Sequence, residues 1–509
     1  MSLADEMFQA SMDHSPLSAT MLGVAGWEDK LEDLSTDGEQ VIRDRVSRLL
    51  DEAETDDTED PVTLAVIKQQ GQAIVDRIDA RLVEHTVATM SAPVNSLLMV
   101  SSKLDVSQRL DQFPRYIEQA AQRLRESDRR PLSRHLRTGV QRMEGFLALP
   151  VQEWEGAHSA QIRTAVAGFR DVLASIGDGR RDDRAGLCWL PGGERNYANL
   201  VRTYTTTSRR PSELHRLGLD IIAALREEYA EIGSRLWGTR DVPEIFHRLR
   251  TEMLWDSEEQ MIENAVEAIA RAEAEAPKWF GRMPSVGCQV RAVPEEEQST
   301  SAIAFYQPAP ADRSRPGTYW LNPLGATERS RTLSEVTAFH EAVPGHHYQF
   351  SIASETELPN MRKYAFIEAY LEGWGLYTER LADEMGLYSS DEQRLGMLGL
   401  DAMRAGRLVV DTGIHAFGWS RQYAVDYLRE NTVMTEPEID SEIDRYIETP
   451  GQALAYMVGR LEIQRVRAEA ETKMGDRFDV KAFHDLVVGS GAVPLSTLDQ
   501  IVTAWADAP

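Results

Sequence analysis

The segment His340-Glu341-Ala342-Val343-Pro344-Gly345-His346-His347 sets a carboxylate beside one imidazole and brings two more imidazoles just downstream. These are the parts of a zinc hydrolase: imidazoles ligate the ion, and a carboxylate takes the proton from the attacking water. In the common helical zinc motif the two histidines stand four residues apart, so both reach one ion from one helix face. Here the fourth residue after His340 is Pro344, and that arrangement is broken. Proline cannot donate to the carbonyl of His340, and Gly345 frees the backbone, so the helix is expected to bulge or break at this point. On an unbroken helix His346 would lie about 240° around from His340 and could not share its ion. Looping out two residues at Pro344-Gly345 restores the geometry for His346. His347 would need three residues absorbed, or would sit roughly 10 Å away, two turns along. His346 is therefore the favoured second ligand, with His347 the alternative.

The competing reading is a hydrogen-bonded core histidine, which is the commoner fate of a lone histidine on an apolar helix face. Three of the eleven histidines fall within these eight residues, and that concentration favours a metal. The upstream stretch Thr332 to His340 carries Leu333, Val336 and Phe339 at helical spacing with His340 on the same inward stripe. A buried imidazole needs partners, and an ion is one way to supply them. A third ligand is expected from the segment Tyr370 to Glu379, which reads as a helix apolar on all sides. Glu368, Glu372 and Glu379 share one of its faces, where unpaired carboxylates are costly unless they meet arginines or a metal. Glu372 is the choice because Gly373 and Gly375 beside it admit close approach of another backbone.

These segments, with Asp411-Thr412-Gly413-Ile414-His415 and Pro450-Gly451-Gln452-Ala453-Leu454-Ala455-Tyr456, resemble bacterial domain-of-unknown-function family 885 in order and spacing. The resemblance extends upstream through Leu190-Pro191-Gly192-Gly193-Glu194 and Tyr204-Thr205-Thr206-Thr207 and covers most of the chain. It implies a mainly α, zincin-like metallohydrolase similar in architecture to the thimet-oligopeptidase and thermostable-carboxypeptidase families, with its active site in a deep groove. By position it assigns His340, His346 and Glu372 to one zinc ion per chain, and Glu341 to the general base.

Other residues are candidates for handling substrate. Val286 to Val293, Ser301 to Tyr306 and Gly317 to Asn322 alternate as strands do, predicting a small sheet just before the metal helix. The third, with Tyr319, is favoured for contact with an extended substrate by strand addition. Arg404 and Arg407 lie on a helix that runs on to His415, and Arg407 is a candidate substrate contact. His415 and Tyr456 are candidate donors to the oxyanion of amide hydrolysis, weighed against ordinary core roles.

The elements that must position these groups are mainly helices. Gln40 to Glu54, Pro61 to Glu84, Ser107 to Glu126, Pro131 to Phe146 and Ser159 to Ile176 show apolar spacings of three and four. Gly177 to Arg184 reads as an exposed connection. The change of character near residue 284 suggests a helical part, 1–283, forming one wall of the groove, and a catalytic part, 284–509. The balance of 55 Lys+Arg against 82 Asp+Glu, a net charge of −27, disfavours nucleic acid and anionic membranes as partners. Cys188 and Cys288 are too few for a disulfide framework. No basic-then-apolar leader and no run near the ~18 apolar residues of a membrane span is present, so a cytoplasmic monomer or homodimer is expected. The expected reaction is zinc-dependent hydrolysis of amide bonds in small peptides. The alternatives are hydrolysis of non-peptide amides or esters, or a catalytically inactive binding protein on the same scaffold.

Overall fold

The computed structural model describes residues 2–295, 298, 301–309 and 315–509. The chain is mainly α-helical, with a three-stranded sheet among the described residues. It divides into two compact units, and the division does not fall at residue 284. One unit comprises Met1–Thr203, Val410–Val425 and Asp440–Gln452; the other comprises Tyr204–Val409, Asp426–Ile439 and Ala453–Pro509. Among the described residues no helix is long and apolar enough to cross a membrane.

In the first unit the expected helices form with shifted ends: Thr36–Ala53, Pro61–Ala80, Phe113–Glu126, Ser133–Ala148 and Ser159–Ser175, and the expected start of the third, Ser107–Gln112, is a 3-10 segment. Local chemistry explains the boundaries. Asp60 caps the second helix by accepting from the N–H groups of Val62 and Thr63, both at 3.0 Å, and Pro61 fits the first turn, where no N–H partner is needed. That helix stops at Ala80 because Arg81 turns left-handed (φ 54°). Phe113, Ile117, Leu136, Ile162, Val166 and Phe169 form its buried core with neighbouring apolar residues. The connection Gly177 to Arg184 is exposed over most of its length but pinned. Arg180 donates to the carbonyls of Arg130 (2.7 Å), Arg184 (2.9 Å) and Ala185 (3.0 Å).

A buried charge cluster joins distant segments of this unit. The Glu448 carboxylate accepts from the N–H groups of Val87 (2.9 Å), Ala88 (3.0 Å) and Thr89 (2.7 Å). His135 places one ring nitrogen 3.1 Å from Glu448 and the other 3.1 Å from Asp444. Burial alone would lower the His135 pKa, but hydrogen bonds to Asp444 and Glu448 outweigh it and raise it to about 9. A pKa above the ordinary 6.5 means that this stabilisation is full below pH 6.5 and is lost as pH rises through about 9. The gap corresponds to roughly 3 kcal/mol at most. Urea denaturation from about pH 6 to about pH 10 is expected to show wild type losing stability over that window and His135→Gln losing much less. Parallel pH profiles for the two would remove the imidazolium from the cluster.

In the second unit the three expected strands form as β1 (Cys288–Ala292), β2 (Ala304–Gln307) and β3 (Gly317–Leu321). Their order is β1-β3-β2, with β1 parallel and β2 antiparallel to β3. This corrects one expectation. β3 is the middle strand, both its edges are paired, and it cannot receive an extended substrate by strand addition.

The helix Glu368–Glu384 packs directly on the helix Ala455–Met474. Gly373 and Gly459 set the closeness: a Cβ on Gly373 would lie 2.5 Å from the Gly459 Cα, and one on Gly459 only 1.8 Å from the carbonyl oxygen of Ala369. Trp374 is fully buried, and Asp401, also fully buried, is neutralised by Arg380 and Arg460.

Candidate metal centre

The motif lies on two short helices separated by a break. The first runs Ser334–Glu341 and buries Val336, Phe339 and His340, the stripe expected from their spacing. It ends at Ala342 (φ −105°, ψ −107°), the Val343–Pro344 peptide is cis, and a second helix, His346–Glu355, begins just after Gly345. Glycine is required at 345, because a Cβ there would stand 1.8 Å from the carbonyl oxygen of His340. The Trp374 indole N–H donates to the Pro344 carbonyl at 3.0 Å and ties the break to the helix Glu368–Glu384.

The break turns His346 back toward His340. Their ring centroids are 4.7 Å apart with the planes 87° to one another. Glu372 meets both: its Oε2 lies 3.7 Å from His340 Nε2 and 3.5 Å from His346 Nε2. Among the described residues, His340, His346 and Glu372 are the one group of three His, Cys, Asp or Glu side chains whose ligand atoms converge, all within 4.8 Å of one another. Two imidazole nitrogens and a carboxylate suit zinc in an open site. Gly375 makes room for His340, since a Cβ there would lie 2.7 Å from His340 Cε1.

Electrostatics bind the three groups together. Burial would lower the pKa of His340, yet the facing carboxylates of Glu372 and Glu379 push it up to about 10. Burial would raise that of Glu372, yet His340 and His346 hold it well below the carboxylate range. The cluster can therefore stand as a buried ion pair, and the same atoms can serve as metal donors once the imidazoles are neutral.

A residue beyond the expected set completes the centre. Glu379, wholly buried, meets His340 Nδ1 at 2.8 Å. An Nδ1–H donated to Glu379 leaves the Nε2 lone pair facing Glu372, the arrangement that fixes a metal-bound histidine's tautomer and raises its basicity. The sequence held a signal for it, since Glu379 shares the costly acidic face with Glu372. Glu379→Gln is expected to leave the fold intact and weaken zinc binding about 10- to 100-fold, measured by competition with a chromophoric chelator. Unchanged affinity would reduce Glu379 to a packing role.

The other expected residues divide. Glu341 follows His340 directly and is half-buried. Its charge reaches Tyr319, whose phenol is pushed well above its usual range by burial first and by Glu341 second. Tyr319 is wholly buried, and its hydroxyl has no hydrogen-bond partner among the described residues. It therefore offers no open surface to substrate, a correction to its expected role. His347 turns to the sheet, with its Nδ1 3.0 Å from the Tyr306 hydroxyl, and burial drives its pKa down to about 4.

His415 is a further correction. It is fully buried in the first unit with both ring nitrogens committed, Nδ1 to the Leu187 N–H (3.1 Å) and Nε2 to the Tyr446 carbonyl (3.0 Å). Neither is left to donate to an oxyanion. The Arg407 and Arg404 guanidinium carbons lie 4.6 Å and 5.2 Å from the Tyr456 ring centroid.

The family described as "Bacterial protein of unknown function (DUF885)" matches residues 16–502. A crystal structure from Colwellia psychrerythraea, described as that of a "putative lipoprotein", is similar with a TM-score of 0.89 and 25% identity, over 99% of this chain and 98% of that one. A second lipoprotein so described, from Shewanella oneidensis and of unknown function, is similar with a TM-score of 0.75 and 19% identity, over 98% and 99%. No curated protein matches the chain. The expected cytoplasmic location is overturned here, because the descriptions of both solved relatives are at odds with it.

Proposed function

Because the chain belongs to the bacterial DUF885 family, which is defined without a function, its chemistry must be argued from its site, and we propose a zinc-dependent hydrolase of amide bonds in small peptides. The observation that carries the reading is the convergence of His340, His346 and Glu372 with Glu341 adjoining the first ligand. Zinc held by those three would act as a Lewis acid and make water acidic enough to deprotonate near neutral pH. The remaining work falls to the protein's own groups. Glu341 takes the proton of the attacking water and returns it to the leaving amine. Glu379 holds His340 in the tautomer that can ligate, and Gly375 and Gly345 admit the packing that brings the ligands together. The likeness to zincins of the thimet-oligopeptidase and thermostable-carboxypeptidase kind belongs to this same proposal.

A binding protein without catalysis is the second reading, and Glu341 argues against it, since a purely structural ion needs no base beside its ligand. Hydrolysis of non-peptide amides or esters would use the same residues. Metal-free protein reloaded with zinc and offered short peptides and acylated amino acids is expected to cleave members of one set, to stop on chelation and to recover with zinc. Zinc binding with no cleavage anywhere in the screen would favour the binding protein.

A further inference from the structure

His347 is not one of the three converging groups His340, His346 and Glu372, and its ring meets Tyr306 instead. Besides its contact with the Tyr306 hydroxyl, the ring bonds the backbone of Val286. Gly317 admits this arrangement: a Cβ there would lie 2.3 Å from the Tyr306 hydroxyl oxygen and 2.8 Å from His347 Nδ1. Tyr306 is thus tied to the motif through His347.

Phe350 stacks on Tyr306 at 6.2 Å between centroids and 21° between planes, and it also meets His346 at 5.9 Å. His346 and Phe350 are one turn apart on the helix His346–Glu355, so their side chains share a face. Phe350 and Tyr306 are only half-buried. A rigid, partly open aromatic wall therefore adjoins a metal ligand, and such a wall offers apolar contact at little cost in side-chain freedom. The carboxylates of Glu341 and Glu372 and the net charge of −27 disfavour an acidic occupant.

Resting on the hydrolase reading above, we infer that Phe350, backed by Tyr306, forms a subsite for a bulky apolar side chain flanking the bond that is cleaved. The substrate class is then a peptide or acylated amino acid carrying an aromatic or large aliphatic group beside the scissile amide.

Calorimetric titration of the zinc-loaded protein with acetohydroxamate and with phenylalanine hydroxamate tests this without requiring turnover. Wild type is expected to bind the benzyl compound at least ~10-fold more tightly than acetohydroxamate, on the scale typical of apolar pockets. Phe350→Ala is expected to lose most of that preference while keeping its zinc and its affinity for acetohydroxamate. Equal affinities in wild type, or an undiminished preference in the variant, would overturn the subsite. Zinc uptake without side-chain preference defeats the subsite alone, whereas failure to take up zinc defeats the hydrolase reading and the subsite with it. Should the alanine variant fail to fold, Phe350→Leu is expected to reduce the preference at full zinc content, and an unchanged preference there would overturn the proposal equally.

Discussion

Glu341→Gln is expected to bind zinc as wild type does and to lose hydrolysis by a factor of ~10²–10⁴ on any substrate the wild type cleaves. The two side chains have nearly the same shape, so packing at the end of the helix Ser334–Glu341 is preserved. The amide cannot accept the proton of the attacking water, and the loss should appear in turnover with little change in apparent substrate affinity. Parallel zinc titrations separate this outcome from loss of the site. Near wild-type turnover in the glutamine variant would assign the base to another group.

The second large effect separates two adjacent histidines. His346→Ala removes one of three proposed donors, and the loss in zinc affinity should exceed the roughly 10- to 100-fold typical of an outer partner. His347→Ala is expected to retain zinc, because its ring faces Tyr306 and the sheet. Its cost should fall on stability instead, about 0.5–1.5 kcal/mol, since the hydrogen bond between the imidazole and the Tyr306 hydroxyl is lost. Equilibrium dialysis and urea unfolding of both variants distinguish the cases. Zinc lost from His347→Ala and kept by His346→Ala would reverse the ligand assignment.

How far these features were legible in the sequence depends on whether their cause is local. The break at Pro344-Gly345 follows from backbone chemistry, and the return of His346 toward His340 follows from the break. The helices and strands were readable from apolar spacing for the same reason, with shifted ends. The order β1-β3-β2 was not, because alternation shows that a strand exists and says nothing of its neighbours. That is why Tyr319 was expected on an edge and lies on the middle strand. His415 misled similarly: a histidine after an apolar run reads alike whether it meets a groove or, as here, the Leu187 N–H and the Tyr446 carbonyl. Glu379 was singled out as a costly buried carboxylate, but its meeting with His340 depends on how two helices pair. The boundary expected at residue 284 marked the onset of the sheet. The units themselves exchange segments at Val410–Val425 and Asp440–Gln452, which only distant contacts can define.

In the reading proposed above, one zinc ion binds through His340, His346 and Glu372. Anomalous diffraction at the zinc edge from crystals of zinc-loaded protein tests it most directly. A single strong peak per chain is expected among His340 Nε2, His346 Nε2 and the Glu372 carboxylate. No peak there after zinc loading, or a peak ligated by His347 in place of His346, would contradict it.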